Sequence, residues 1–392
     1  MKVKNGKFKK SELITVIVFM AALGFLSVLL FALPKHAGEM SSLEFRKLAE
    51  DPFKGKSAST LMTELVRGDM SKNVDKYLED HYPARNFFIA LNSYYLRFTG
   101  RNADQAVVMG KNGRLYDAPL DPNSGFIDKN VSKINEFSSA NGLKTVIAVV
   151  PSASLTVPEE LPAVHLDYKD DEIIASVREK TDAYVPDIAS VFGNRPGEYL
   201  MYRTDHHWTM EGAYEVYKDV MRYFGEEPYD RNALYTERYE FFGSFYRKAG
   251  LWLTRPDTLE VWTSTAVDKM TTKVGWGEGE AVYSGVYDRE QLKEGNVDKY
   301  AAYLWSNNSL TVIENPDGNG RTVMLVKDSF GNSIAPLLAL SYSRVVMIDT
   351  RYYRNPDLPL PSELVAEYGI TELIVVIGAD SAVSDIMIAF LR

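Results

Sequence analysis

The sequence predicts an α/β fold: a mainly parallel sheet with helices on both faces, joined to one N-terminal transmembrane helix and interrupted by an aromatic-rich insertion. Two features predict the sheet. Four apolar, β-branched runs, KTVIAVV (144–150), RTVMLV (321–326), SRVVMID (343–349) and ELIVVIG (372–378), lack polar alternation, as strands buried on both faces require. Segments with helical spacing separate them, and strand-helix-strand repetition sets parallel strands between two helical layers. A third feature predicts the anchor. Residues 13–33, LITVIVFMAALGFLSVLLFAL, carry no charge, and a helix of that length at ~1.5 Å per residue crosses a hydrocarbon core of roughly 30 Å.

Lys2, Lys4, Lys7, Lys9 and Lys10 precede the apolar run. By the positive-inside rule, residues 1–12 form a cytoplasmic tail and the chain beyond residue 33 is extracytoplasmic. The run is longer than the roughly 7–15 residues of a secretory signal and ends FALPKHAGEM, which favours an uncleaved single-pass anchor in the cell membrane. Residues 34–104 form a helical region, because STLMTELVRGDMSKNVDKYLEDHY and NFFIALNSYYLRFTG space apolar side chains three and four apart.

The remaining domain, 105–392, opens with QAVVMGKNGRLYD (105–117), two short apolar runs around Gly110 and Asn112-Gly113 that read as a hairpin. FIDKNVSKINEFSSANG (126–142) sets Ile127, Val131, Ile134 and Phe137 on one face and stops at Gly142, and DDEIIASVREKTDAY (170–184) is the next helix. EYLMYRT (198–204) reads as a strand. Thr209 can then N-cap a helix whose Ala213, Val216, Tyr217, Val220 and Phe224 make one stripe before Gly225. Helices with Pro336 and Pro361 near their starts separate the C-terminal strands. Residues 226–320 lack helical period and contain Trp252, Trp262, Trp276 and Trp305, so they read as the insertion. Its tryptophans are either packed or offered to the apolar face of a sugar.

The chain has 392 residues, 45% apolar and 12% aromatic, enough for a well-packed core. It has no cysteine, which excludes disulfides, thiol catalysis and thiolate metal sites. Beyond residue 33 it carries 39 basic and 52 acidic side chains, a net charge of −13. That balance argues against nucleic acid as a partner and leaves a neutral glycan, or an acidic one gripped by a few placed arginines.

YRTDHHWT (202–209) sets His206 and His207 behind Asp205. If the segment is extended, side chains alternate, so Asp205 and His207 share a face while His206 points to the other. An aspartate so placed can accept the imidazole Nδ1–H, fix the tautomer and leave Nε2 as a base. A buried polar turn with Trp208 in the core fits the same residues. A metal held by Asp205, His206 and His207 with His81 or His165 is not expected, since adjacent histidines on a strand diverge and the spacing is not that of H-E-x-x-H.

In VMLVKDSFGNS (323–333) an apolar strand ends at Lys327, Ser329 follows at a tight turn, Gly331 permits an unusual backbone angle, and a helix begins near Asn332 or Ser333. This is the layout of a nucleophile elbow, with the hydroxyl at the strand's carboxyl end beside helix N-terminal amides. A serine capping a helix fits as well, and Lys327 stands where G-x-S-x-G has its first glycine. Both stretches fall at carboxyl ends of expected strands, where Asp205, His207 and Ser329 can meet as a triad in that chain order.

TDHHWT (204–209), KDSFGNS (327–333) and IDTRYY (348–353) together resemble the bacterial DHHW family, itself similar to the alginate O-acetylation proteins, which are exported SGNH-hydrolase-like acetyltransferases. The likeness covers most of the chain after the anchor, including GKNGRLYD, FFGSFY and PDTLEVW. It implies a flavodoxin-like, SGNH-hydrolase-like α/β fold and a Ser-His-Asp site, working without a cofactor, that moves acetyl groups onto an exported polysaccharide. Ser329 matches the nucleophile, His207 the base and Asp205 its orienter; His206 stands where the alginate proteins usually have threonine. Arg351 is then either a substrate or oxyanion contact or an ion-pair partner, Gly331 and Ser333 are further candidates beside the substrate, and His206 and Trp208 support the base. The resemblance also implies a multi-pass membrane O-acyltransferase that supplies the acetyl group. Two other functions fit the same residues: a polysaccharide O-acetyl esterase, with water in place of the sugar, and a non-catalytic glycan-binding wall protein.

Overall fold

A computed structural model describes residues 10–39, 41, 47–104, 106–123, 125–195, 197–251, 253–384 and 388–391, and the chain divides into two compact units, 1–95 and 96–392. Lys2, Lys4, Lys7 and Lys9 of the expected cytoplasmic tail, and Trp252, lie outside the described residues.

The first unit is helical. Helix α1 (Lys10–Ala32) has no buried residue and is long and apolar enough to cross a membrane. Helix α2 (Ala58–Arg67) starts where the Ser57 side chain accepts the Thr60 amide, and it stops at Gly68, whose φ of 76° is left-handed backbone that glycine adopts without strain. Helices α3 (Asp69–His81) and α4 (Arg85–Phe98) follow.

In the second unit the expected hairpin forms: Val107–Met109 pairs antiparallel with Leu115–Asp117 around a turn in which Asn112 and Gly113 have φ of 54° and 78°. The chain then runs through α5 (Phe126–Ala140), β1 (Lys144–Val150), α6 (Asp170–Glu179) and α7 (Met210–Phe224). After it come β2 (Thr271–Val274), β3 (Ala281–Ser284), β4 (Leu310–Glu314), β5 (Thr322–Lys327), α8 (Gly331–Ser341), β6 (Arg344–Asp349), α9 (Pro361–Tyr368) and β7 (Glu372–Gly378). The Thr209 cap is present, its side chain accepting the Gly212 amide.

One seven-stranded sheet has the order β1-β7-β5-β6-β4-β2-β3. The first four strands are mutually parallel, with Leu325 of β5 opposite Met347 of β6 and Ile374 of β7. Each gives alternate residues to two cores. Val146, Ala148, Leu325, Met347 and Ile374 pack against α7 and α8 on one face. Ile147, Val149, Met324, Val346 and Val375 pack against α5, α6 and α9 on the other.

Three expectations are corrected. The sheet is mixed, because β4, β2 and β3 join it antiparallel, and all three come from the segment read as an insertion. That segment also contributes a two-stranded ribbon, Tyr235–Phe241 with Asp257–Thr263. Strands β2 and β3 are short, polar and partly exposed at the sheet edge, so they lack the continuous apolar signature of the parallel four. EYLMYRT is not a sheet strand; it is a loop whose only ladder-like pairing among the described residues is the bridge Met201–Trp208. Pro336 lies in the middle of α8 rather than at its start.

Candidate active site

The carboxyl ends of β1, β7 and β5 converge on the turn after β5. That turn is held by Asp328. Its Oδ1 accepts the Phe330 amide at 2.9 Å, and its Oδ2 accepts the Gly378 amide at 2.7 Å and the Ser381 hydroxyl at 2.6 Å, which ties the turn to the end of β7. Gly331 is needed for space and not for its backbone angle: a Cβ there would collide with the buried Lys327 side chain, and its φ is not positive. Ser329 is left half-buried at the strand's end.

The loop carrying the histidines is built from polar contacts. Buried Asp257 accepts the Thr204 amide and hydroxyl on Oδ2 at 2.8 and 2.6 Å. The Thr204 hydroxyl in turn accepts the Gly243 amide at 2.9 Å, and a Cβ on Gly243 would overlap Asp205 and Thr204, so the 243–244 backbone sits directly against the loop. Arg114 of the hairpin donates to the Tyr202 carbonyl at 2.9 Å, and the Leu115 amide donates to that of Arg203 at 2.8 Å.

Within this frame Asp205 Oδ1 lies 2.6 Å from His207 Nδ1, and His207 Nε2 lies 2.8 Å from Ser329 Oγ. Asp205 also accepts the His207 amide at 3.0 Å and the Ser244 amide at 2.7 Å. Burial alone would raise its pKa, but the electrostatic interaction with the adjacent His207 and His206 rings and these hydrogen bonds hold it well below the usual carboxylate range. With Asp205 ionised, Nδ1 carries the imidazole proton and Nε2 is free to accept from the serine hydroxyl. Such a chain can draw a proton from Ser329 as its oxygen attacks a carbonyl.

Tyr300, which no sequence pattern singled out, clamps both partners. Its ring stacks on His207 at 4.0 Å between centroids and 11° between planes, and its hydroxyl donates to the Ser329 carbonyl at 3.0 Å. Trp208 is fully buried and donates from Nε1 to Ser333 Oγ at 2.7 Å, which pins the histidine loop to α8. Ser333 and Gly331 are therefore engaged in packing, the Gly331 amide donating to the Asp328 carbonyl. Arg351 forms a two-point ion pair with buried Asp349 through Nε and Nη2 at 2.9 and 2.8 Å. Asp349 Oδ2 also accepts from buried Lys327 at 3.0 Å, and Lys327 donates to Asn332 Oδ1 at 2.6 Å as well.

His206 does not diverge from its neighbour as an extended strand would make it. The loop bends, and the two imidazoles lie 3.8 Å apart. Ligand atoms of Asp205, His206 and His207 thus come within 4.8 Å of one another, a spacing that a metal could use. Both nitrogens of His207 already have partners, however, and His206 Nδ1 faces Ser244 Oγ at 3.0 Å. His81 and His165 each direct Nδ1 to a main-chain carbonyl, of Tyr77 and Leu166. Of the tryptophans named as sugar platforms, Trp262 is buried under Arg231 and Trp276 packs on the core; Trp305 stacks on Tyr283 at 4.3 Å and stays partly accessible.

The same fold occurs in solved structures. A DHHW family protein from Eubacterium siraeum superposes with a TM-score of 0.59 at 21% identity, covering 73% of this chain and 97% of that one. Bacillus cereus PatB1 superposes with a TM-score of 0.60 at 20% identity, covering 72% of this chain and 98% of that one. PatB1 carrying a sulfonyl adduct superposes with a TM-score of 0.59 at 18% identity, covering 72% and 97%. No curated protein matches the chain. The DHHW protein family model matches residues 172–348, which span both the histidine loop and the serine turn, so this chain carries a DHHW family domain.

Proposed function

We propose that this protein is a membrane-anchored O-acetyltransferase that moves acetyl groups to an extracytoplasmic polysaccharide through Ser329, His207 and Asp205. The observation that carries the reading is the hydrogen-bond chain from Asp205 through His207 to Ser329, at 2.6 and 2.8 Å. In the first half-reaction Ser329 Oγ attacks the donor's acetyl carbonyl while His207 Nε2 takes the hydroxyl proton and returns it to the leaving group. In the second, a sugar hydroxyl gives its proton to Nε2 as its oxygen attacks the acyl-serine; the ester bond to Ser329 breaks, and Nε2 returns the proton to Oγ. Asp205 stays ionised throughout and supports the imidazolium.

Helix α1 supports the anchor, with the 96–392 unit on the extracytoplasmic side by the lysine rule. A donor used there must be delivered across the membrane, which fits a multi-pass O-acyltransferase as the partner. Two measurements on the detergent-solubilised chain test the reading. A sulfonyl fluoride, the chemistry suggested by the adduct on PatB1, should modify Ser329 once, read by intact mass and peptide mapping. An acetyl ester plus an oligosaccharide should then yield acetylated sugar. Modification elsewhere, or at no residue, sinks the nucleophile; acetate without acetylated sugar turns the assignment to an esterase.

A further inference from the structure

Beside the Ser329–His207 pair, on the other side of His206, lies a cavity of about 200 Å³ at the carboxyl ends of β1 and β7. Its wall includes Asp117 of the hairpin, Leu120, Ser152 after β1, His206, Phe330 and Asp380 after β7. Two of its lining residues adjoin the proposed base: His206 lies 3.8 Å and Phe330 4.9 Å from the His207 ring. The volume is that of six or seven waters at ~30 Å³ each, room for a sugar ring rather than a chain.

Several polar atoms of this cavity have no side-chain partner among the described residues. Among the described residues the Asp117 carboxyl accepts no hydrogen bond; only its main-chain carbonyl does, from Tyr168. Among the same residues the Asp380 carboxyl has the adjacent Ser381 amide alone, and His206 Nε2 has no hydrogen bond. Burial and the neighbouring Asp380 push Asp117 up to about 7, and burial followed by the Asp328 charge raises Asp380. Burial and the adjacent His207 lower His206 to about 4, so it stays a neutral imidazole near neutral pH. Asp117 is half-buried and Asp380 exposed, so both carboxyls keep free hydrogen-bonding capacity at the cavity wall that a bound hydroxyl can meet. In their ionised form the two carboxyls repel an anion, while Phe330, Leu120 and Val150 offer apolar surface to the C–H face of a ring.

We propose that this cavity is the acceptor subsite, holding one uncharged sugar ring of the polysaccharide with its hydroxyls hydrogen-bonded to Asp117, Asp380 and His206, and rejecting uronic acids. The proposal rests on the acyl-transfer reading above and adds the class of acceptor to it. The sugar oxygen forms the new bond to the acetyl carbon as that carbon leaves Ser329 Oγ, and the hydroxyl proton passes to His207 Nε2 and on to Oγ.

The test uses the full chain in detergent, p-nitrophenyl acetate as donor, and cellotetraose, chitotetraose or tetragalacturonate as acceptor. The rate of sulfonyl fluoride modification of Ser329 is read in parallel. In the wild type, at least one neutral tetramer should be acetylated with a kcat/KM at least tenfold above that of tetragalacturonate. Asp117→Ala and Asp380→Ala, which come from different elements, should each raise the KM for that tetramer about tenfold or more relative to any change in modification rate, and Asp117→Asn, which can still hydrogen-bond, should restore most of it. Acceptor constants that merely follow the modification rate in both alanine variants overturn the subsite, as does preference for the uronate or acetylation of none of the three. A wild type that is not modified at Ser329 defeats the acyl-transfer reading first, and the subsite with it.

Discussion

Two aspartates flank His206 and have their pKa driven in opposite directions, and burial is not what separates them. Asp205 is the more buried, yet it accepts three hydrogen bonds, from the His207 ring, the His207 amide and the Ser244 amide, and is held well below the ordinary range. Asp117 accepts none among the described residues and is pushed up to about 7, by burial first and then by Asp380. Donors, supplied or withheld, decide the outcome. A carboxylate that must hold an imidazolium needs its charge, whereas one that meets a neutral hydroxyl does not.

The largest effects lie on the Asp205 side. Ser329→Ala and His207→Ala should each lower acetyl transfer by about a thousandfold or more. Asp205→Asn should cost about 10⁴-fold, the loss seen for the corresponding aspartate in a serine protease, since the amide cannot enforce the Nδ1–H tautomer. Steady-state rates with an acetyl ester check all three. If Asp205→Asn keeps activity within tenfold of wild type, the contrast between the aspartates has no catalytic meaning.

The next effect is a pH dependence of opposite sign on the two sides. Asp117 has a folded pKa near 7 against about 3.9 in the unfolded chain, so between those values the folded state binds more protons than the unfolded. Stability should therefore fall as pH rises from about 4 to 7, by at most a few kcal/mol, and level off above. Asp380 and Asp170 face the same group and act in the same direction, and Lys248 opposes them. Asp205, depressed, contributes stability above its unfolded pKa that is lost only as pH falls toward its folded value. Urea melts at intervals from pH 4.5 to 7.5 should show the wild-type decline and a flatter curve for Asp117→Asn. Equal slopes would mean that Asp117 is already ionised and solvated.

How much of this was legible beforehand depended on how local each signal was. The four parallel strands announce themselves, because continuous apolar runs have few other uses, and the Asp205–His207 pairing follows from two positions only two residues apart. The bracing does not. FFGSFY and PDTLEVW could be matched as family stretches, but that Ser244 and Asp257 support the histidine loop is a contact across 39 and 53 residues, invisible to any periodicity. The extended geometry first expected for YRTDHHWT fails for the same reason: side chains of distant residues, not a strand ladder, shape that loop. Asp257→Ala tests this bracing. It leaves the buried Thr204 amide and hydroxyl proton without an acceptor, which should cost about 1–3 kcal/mol of stability and lower kcat roughly 10- to 100-fold, with Asp257→Asn recovering part of both. A stability loss with full activity would show that the loop holds its geometry from Arg114 and the hairpin instead.

The smallest predicted effect concerns Tyr300, which belongs wholly to the satisfied side. Tyr300→Phe keeps the ring stacked on His207 and removes one hydrogen bond to the Ser329 carbonyl. A single neutral hydrogen bond contributes about 1 kcal/mol, so kcat and the rate of sulfonyl modification should both fall roughly fivefold, with the KM for acceptor nearly constant. Tyr300→Leu loses the stack as well and should fall further, because the imidazole then has room to rotate away from Ser329. A hundredfold loss in Tyr300→Phe alone would assign the hydroxyl a part in proton transfer. The serine turn would then depend on a donor supplied by the aromatic-rich segment, and positioning by Asp205 would be only half of the account.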